Sequence, residues 1–345
     1  MQRICSSLSK EGYAVTLIGF VKKNSIPIEH KEYHQERFCL KFTKGKLFYI
    51  EYNLRLLWHF LKHQYDIYGA IDLDTVLPHY LASKKHSKQV ILDAHEYYLG
   101  LPEIQNRPFT KWVWTKLEKW IYPKLSKAYT VNESIAKLYE TEYDLEVEVV
   151  RNCPELEALP SIEKNEKYIL YQGALNEGRG IEELIEAMQF INSASLKIAG
   201  TGEIDELLFE LPKKFGVADK VEFLGYLQPT ELLTVTQQAF IGVNLLHATS
   251  LNYYYSLTNK FFDYVHAELP QLSMDYPEYR LISKQFEVAL LKKDLKPDTI
   301  AESLNQLIED EDCYNKLVEN CKTAKQHYNW ANEEKKLIDF YKNLE

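Results

Sequence analysis

Apolar runs alternating with helical patterns organise this chain. Four segments of the first half, YAVTLIGF (13–20), DIYGAID (66–72), QVILDAH (89–95) and KAYTVN (127–132), read as strands. Four more follow in the second half: YILYQG (168–173), SLKIAGTG (195–202), KVEFLGY (220–226) and FIGVNLL (240–246). Their apolar runs are nearly continuous, as in parallel strands covered by helices on both faces, so the expected class is α/β with parallel sheets flanked by helices. Periodicity fails across VVRNCPELEALPSIEKNEK (149–167), which holds two prolines, and the join between two domains is placed there. A length of 345 residues suits two α/β domains of about 150 residues each. The expected bounds are 1–155 for the first, 156–327 for the second, and 328–345 for a closing helix, apolar enough at Leu337, Ile338 and Tyr341 to dock.

The chain opens on a helix, RICSSLSKEG (3–12), ending at Gly12, with no strand before it. In a doubly wound domain the strand preceding that helix is central and flanked on both sides. The first strand of the N-terminal domain is therefore expected to be missing, and the natural protein to begin upstream by about 5–6 strand residues and a turn.

Composition narrows the class. Hydrophobic residues make up 46% and charged residues 26%, the range of ordinary globular proteins. No stretch reaches the roughly 20 apolar residues of a membrane span, and the N-terminus lacks a signal-peptide core. Five scattered cysteines form no C-x-x-C pair, so reduced thiols and a cytoplasmic location are expected. The net charge of −9 hides an asymmetry: residues 1–130 carry 20 Lys+Arg against 12 Asp+Glu. Either those lysines are solvated surface, or the first domain faces an anionic membrane or a phosphate-bearing acceptor.

Chemistry concentrates in the second half. YQGALNEGRGIEELIEAM (171–188) reads as strand, Gly-bearing turn after Gly173, then a helix whose N-terminus can receive an anion. Arg179 in that turn is either a diphosphate donor or a plain surface residue. IAGTGE (198–203) sets Gly200 and Gly202 at a strand end, as a tight loop or as a place where backbone meets a flat ligand such as a nucleobase. LTNKFFDYVHAELP (257–270) puts Asn259, Lys260 and Asp263 near a helix start; Asp263 accepts ribose hydroxyls or complements the helix dipole. In the first half ILDAHEYY ends a buried strand with Asp93, His95 and Glu96 at its carboxyl end, and His95 is a candidate acid, base or hydroxyl-binding group or a structural histidine. IDLDTV offers Asp72 and Asp74 at a spacing that can recruit a divalent ion, but no further carboxylates lie nearby in sequence, and no metal is expected.

Taken in order, DAHEYY, PEIQNRP, AYTVNESIA, VVRNCP, YQGALNEGRGIEELIEAM, LKIAGTGE, VEFLGY, NKFFDYVHAELP and WANEEKKL resemble glycosyltransferase family 4 over nearly the whole chain. The resemblance implies the GT-B fold, two facing Rossmann-like domains, with the closing helix 328–345 crossing back onto the first. It implies transfer with retention and without a metal or other cofactor, from a UDP- or GDP-linked sugar to a glycan or lipid-linked acceptor, with cell-surface polysaccharide assembly as the family-level role and no nucleic acid partner. The donor is expected mainly on the second domain and the acceptor, with Asp72, Asp74 and Glu96, on the first. His95 matches the family's histidine near the donor sugar, Asp263 its ribose-binding acid, and Arg179 the basic residue on the diphosphate; Asn259 and Lys260 lie in the segment beside it. His95 and Arg179 are the expected catalytic pair. Three positions depart from the pattern: Ala174 replaces a phosphate-binding arginine, Tyr255 a first glutamate, and Glu268 a glycine before Leu-Pro. These departures keep a noncatalytic GT-B protein open as an alternative, beside an epimerase or hydrolase of nucleotide sugars on the same fold.

In KWVWTKLEKWIYPKLSKA (111–128), Val113, Trp114, Leu117, Trp120 and Ile121 share one arc and read as the core face. Trp112 falls among Lys116 and Lys119, marking a Trp covered by a neighbouring loop, an acceptor contact, or a peripheral contact with the inner face of a membrane.

Overall fold

The structure, a computed structural model, describes residues 1–22, 25, 27–158 and 166–344. Positions 159–165 of the junction marked at 149–167 lie outside the described residues. The chain divides into two compact units, Met1–Arg151 with Glu333–Glu345, and Asn152–Asn332.

The first unit runs α1 (Gln2–Lys10), β1 (Thr16–Phe20), β2 (His34–Phe38), α2 (Gly45–Lys62), β3 (Ile67–Ile71), α3 (Asp72–His86) and β4 (Gln89–Ala94). It continues through α4 (Pro102–Gln105), α5 (Pro108–Ile121), β5 (Lys127–Thr130), α6 (Glu133–Tyr143) and β6 (Glu146–Val149). Helix starts follow local chemistry. Asn132 caps α6 by accepting the Ile135 N–H at 2.9 Å, and proline at the first positions of α4 and α5 sets the helical φ where a missing N–H costs nothing.

Strands β3, β4, β5 and β6 form a parallel sheet in that order, while among the described residues β1 pairs only with β2, in parallel. The open edges of β1 and β3 line one cavity of about 510 Å³. Consecutive residues of each strand, Thr16, Leu17 and Ile18 on one side and Ile67, Tyr68 and Gly69 on the other, border it, so the cavity follows backbone edges rather than a sheet face.

The second unit runs β7 (Tyr168–Gln172), α7 (Ile181–Ala187), β8 (Ser195–Ala199), α8 (Asp205–Lys214), β9 (Val221–Gly225), α9 (Pro229–Gln238) and β10 (Ile241–Asn244). After these come α10 (Leu251–Tyr254), α11 (Asn259–His266), β11 (Gln271–Met274), α12 (Pro277–Phe286), β12 (Ala289–Lys292), α13 (Pro297–Glu309) and α14 (Glu311–His327). Its six strands are parallel in the order β12-β11-β10-β7-β8-β9. Every residue of β7 and β10 is buried, as the continuous apolar runs require of strands covered on both faces. Strand order reverses between β7 and β10, and their carboxyl ends bound the crevice where open α/β sheets bind ligands.

The closing helix α15 (Trp330–Lys342) lies with the first unit from Glu333 onward. Leu337, Ile338, Phe340 and Tyr341 are buried, and the Tyr341 ring meets those of Tyr13 and Tyr129.

Two readings of the sequence need correction. Helix α5 does not bury the arc from Val113 to Ile121: Val113 and Trp120 are exposed, and its buried side chains are Ile121 and Glu118, whose Oε1 accepts the Tyr143 hydroxyl at 2.6 Å. Strands β2, β6, β11 and β12 carry no long apolar run. The first is HQERF, and the other three are only four residues each.

Candidate functional site

In the second unit the turn after β7 gathers the charged groups. Lys260, in the first turn of α11, is buried, and its Nζ lies 3.7 Å from the centre of the Tyr171 ring. It reaches back to the turn so closely that a side chain on Gly173, whose φ is +132°, would meet its Cε and Nζ at 3.4 Å. No described carboxylate is within ion-pairing distance of the Lys260 ammonium. Burial pushes its pKa well below the ordinary lysine value, the nearby Arg179 charge adds to that, and Asp263 opposes it.

Arg179 places its guanidinium carbon 5.0 Å from the centre of the Tyr253 ring, and its Nε is buried without a hydrogen-bond partner among the described residues. A buried donor without a partner and a lysine charge in a desolvated place are both costly, and an anion in this turn would offset both.

Asp263 is fixed from the sheet. Its Oδ2 accepts from Gln172 Nε2 at 2.9 Å, and Gln172 Oε1 accepts from the Thr236 hydroxyl at 2.7 Å. Asn259, one residue before Lys260, accepts from Asn152 Nδ2 at 2.9 Å. Thr258 in turn donates to Asn244 Oδ1 at 2.9 Å, tying the start of α11 to the end of β10.

The two glycines of IAGTGE are set by loop packing. A Cβ on Gly200 would lie 1.9 Å from the Gly173 carbonyl oxygen, and one on Gly202 would lie 2.1 Å from that of Leu175. The loop after β8 thus lies directly against the turn after β7, joined by Gly173 N–H to Ala199 O at 2.9 Å and Leu175 N–H to Thr201 O at 3.2 Å. Helix α7, expected as the anion-receiving element, is only seven residues long and carries Glu182 and Glu183 in its first turn. The positive charge of this turn therefore resides in Arg179 and Lys260.

The first unit carries its own set at the carboxyl ends of β3 and β4. Asp72 adopts φ +54°, and its Oδ1 accepts the His95 backbone N–H at 2.8 Å. Burial raises the Asp72 pKa to about 7 against the lowering effect of His95, and burial raises that of Asp74 to about 6. His95 Nε2 lies 3.1 Å from Asp93 Oδ1, close enough to pair but not aligned as a hydrogen bond, while Asp93 Oδ2 accepts the Tyr129 hydroxyl at 2.8 Å. Burial lowers the His95 pKa, but Asp93 and Asp72 outweigh it and the net shift is upward. Glu96 is exposed beside this cluster.

Two family patterns match adjoining parts of the chain: Glycosyltransferase Family 4 over residues 1–157 and Glycosyl transferases group 1 over residues 154–324. The chain belongs to glycosyltransferase family 4. Its fold is the GT-B type, built from two Rossmann-like domains. A curated relative, an uncharacterized glycosyltransferase of Methanocaldococcus jannaschii, is 28% identical over 185 residues. That match covers 52% of this chain, which spans about half the relative's length, 46%. Sucrose-phosphate synthase from Thermosynechococcus elongatus is similar at TM-score 0.83 and 16% identity, over 99% of this chain and 92% of that one. HepE of Anabaena in complex with UDP-glucose matches at TM-score 0.71 and 14% identity, over 89% and 86%. WaaG, a glycosyltransferase involved in lipopolysaccharide biosynthesis, matches at TM-score 0.72 and 14% identity, over 98% and 94%.

Tyr171, Gln172, Thr236 and Tyr253 were not among the site residues expected for this family 4 chain. The one available signal was Gln172, a polar residue ending an otherwise apolar strand, where an unpaired amide would be costly.

Proposed function

We propose that this glycosyltransferase moves a hexose from a nucleotide diphosphate sugar, UDP- or GDP-linked, to a glycan or lipid-linked acceptor. Transfer keeps the anomeric configuration and needs no metal, and the enzyme works at the inner face of a membrane in surface polysaccharide assembly. The observation that carries the donor reading is the pair Arg179 and Lys260 at the β7 turn, two cations that form no ion pair among the described residues. Breaking the bond between sugar and phosphate leaves a diphosphate that gains charge, and preorganised cations in a water-poor site stabilise it most. Asp263, held by Gln172, is assigned to the ribose hydroxyls, and His95, paired with Asp93, to the sugar. HepE, solved in complex with UDP-glucose, has a similar fold, which supports this reading.

The test is a thermal-shift panel of UDP, GDP, ADP and their sugars, with and without magnesium. Stabilisation by one base, indifferent to magnesium and lost in Arg179→Ala, is expected. Release of the nucleotide diphosphate should then require acceptor, and release in water alone would indicate a hydrolase. A panel without any stabilising nucleotide would refute the donor reading.

A further inference from the structure

Helix α2 is apolar on two opposite faces. One face buries Tyr52, Leu56 and Phe60 in the first unit. The other carries Leu47, Ile50, Leu54 and Trp58 at spacings of three, four and four residues, an arc of about 80° at 100° per residue, and all four are exposed, Trp58 at 62%. The start of α5 extends this stripe. Phe109 and Trp112 are 62% and 58% exposed with ring centres 6.1 Å apart, and Lys46 of α2 holds its Nζ 4.6 Å from the Phe109 ring centre. Beneath them Tyr49 of α2 meets Trp114 of α5 at 5.6 Å, so the two helices present one surface.

On the two helices bases outnumber acids. Lys46, Arg55 and Lys62 lie on α2 and Lys111, Lys116 and Lys119 on α5. The only acids on these helices are Glu51, paired with Arg55, and Glu118, fully buried. Lys62 Nζ stands 3.5 Å from the Trp58 ring centre. Protein interfaces deplete lysine, whereas a lysine rim around exposed Trp, Phe and Leu suits a lipid headgroup layer, where the rings sit at the boundary and the ammonium groups meet phosphates.

We propose that this α2–α5 face is the surface on which the enzyme docks to an anionic phospholipid bilayer, with Leu47, Ile50, Leu54, Trp58, Phe109 and Trp112 entering the interface. The assignment rests on the membrane part of the reading above and gives it a location. It adds the α2 stripe to the single exposed Trp112 visible in the sequence.

The experiment is flotation of the full chain with vesicles of phosphatidylcholine alone or mixed with phosphatidylglycerol, at low and high salt. Binding only to the mixed vesicles, weakened by salt, is expected. The double substitution Leu54→Ser with Trp58→Ser should lower partition by at least about tenfold, since each residue contributes buried apolar area to the interface. Both sites are exposed, so the melting temperature and its response to UDP-glucose should stay those of wild type. Vesicle binding that the double variant retains would overturn this face while leaving the membrane reading standing. Wild type that never floats, or that self-associates until these substitutions make it monomeric, would overturn the docking proposal, and the nucleotide response reports separately on the donor reading.

Discussion

The ammonium of Lys260 rests 3.7 Å above the Tyr171 ring and beside the bare backbone of Gly173, with no described carboxylate paired to it. Such a cation lowers the stability of the free protein. Replacing it by an apolar side chain of similar length should raise the melting temperature of the unliganded protein while removing the stabilisation given by a nucleotide diphosphate. The sign with pH follows from linkage. The folded state holds this proton less tightly than the unfolded chain, so wild type gains stability as pH rises toward the free lysine value near 10.5. The advantage of Lys260→Met should therefore shrink over that range. A variant less stable than wild type at neutral pH, or one that still responds to the nucleotide, would remove Lys260 from the anion site.

Gly200 gives a sharper structural test. Its φ of +145° and the 1.9 Å approach to the Gly173 carbonyl leave no room for a Cβ, and the obstacle is backbone. Gly200→Ala should cost about 3 kcal/mol or more through strain and displacement of the turn. Chemical denaturation would measure it, and nucleotide binding should weaken in the same variant because the turn it displaces carries Gly173. A loss below about 1 kcal/mol would mean that the two loops are not packed as described.

The strands β7 and β10 that set these loops were legible because they hold the continuous apolar runs expected of a covered parallel sheet. The residues that orient the site were less so. Gln172 and Thr236 act on Asp263 through contacts across 64 and 91 positions of sequence, which no local pattern encodes. Helix α2 hid its exposed stripe for a related reason, since two opposite apolar faces read like a buried helix until packing shows which one is covered. Glu268 shows the reverse. Expected where a glycine is usual, it adopts φ +53°, a conformation glycine takes without strain, and pairs with Lys325 at 2.5 Å.

Asp72 predicts a pH dependence in the first unit. Its pKa of about 7 in the folded state stands above the ordinary carboxylate value, so its contribution is fully present below about pH 4 and is lost as pH rises through about 7. Asp74, raised to about 6, and His95, also raised, act in the same direction. Asp72→Asn keeps an oxygen to accept the His95 N–H and removes the buried charge. Melting curves between pH 4 and 8 should show a shallower decline in the variant, the difference amounting to at most about 4 kcal/mol. Parallel curves would mean that Asp72 titrates as an exposed carboxylate does.

The cavity between β1 and β3 makes the last prediction. Strands β1 and β3, each with one edge unpaired among the described residues, border about 510 Å³, and Met1, the residue before α1, also lines it. A strand leading into α1 and followed by parallel β1 would form a right-handed crossover unit of the usual kind and would present N–H and C=O groups to both edges at once. Fusing about 5–6 β-branched residues and a turn ahead of Met1 should therefore raise the melting temperature by at least about 5 °C. Amide exchange should slow along Thr16–Phe20 and Ile67–Ile71 together, because one inserted strand joins both ladders. The same extension with proline at its centre loses a ladder donor and should give neither effect. Stabilisation without slower exchange in both strands would place the added segment elsewhere, and no stabilisation would mean that the two edges are too close to admit a strand.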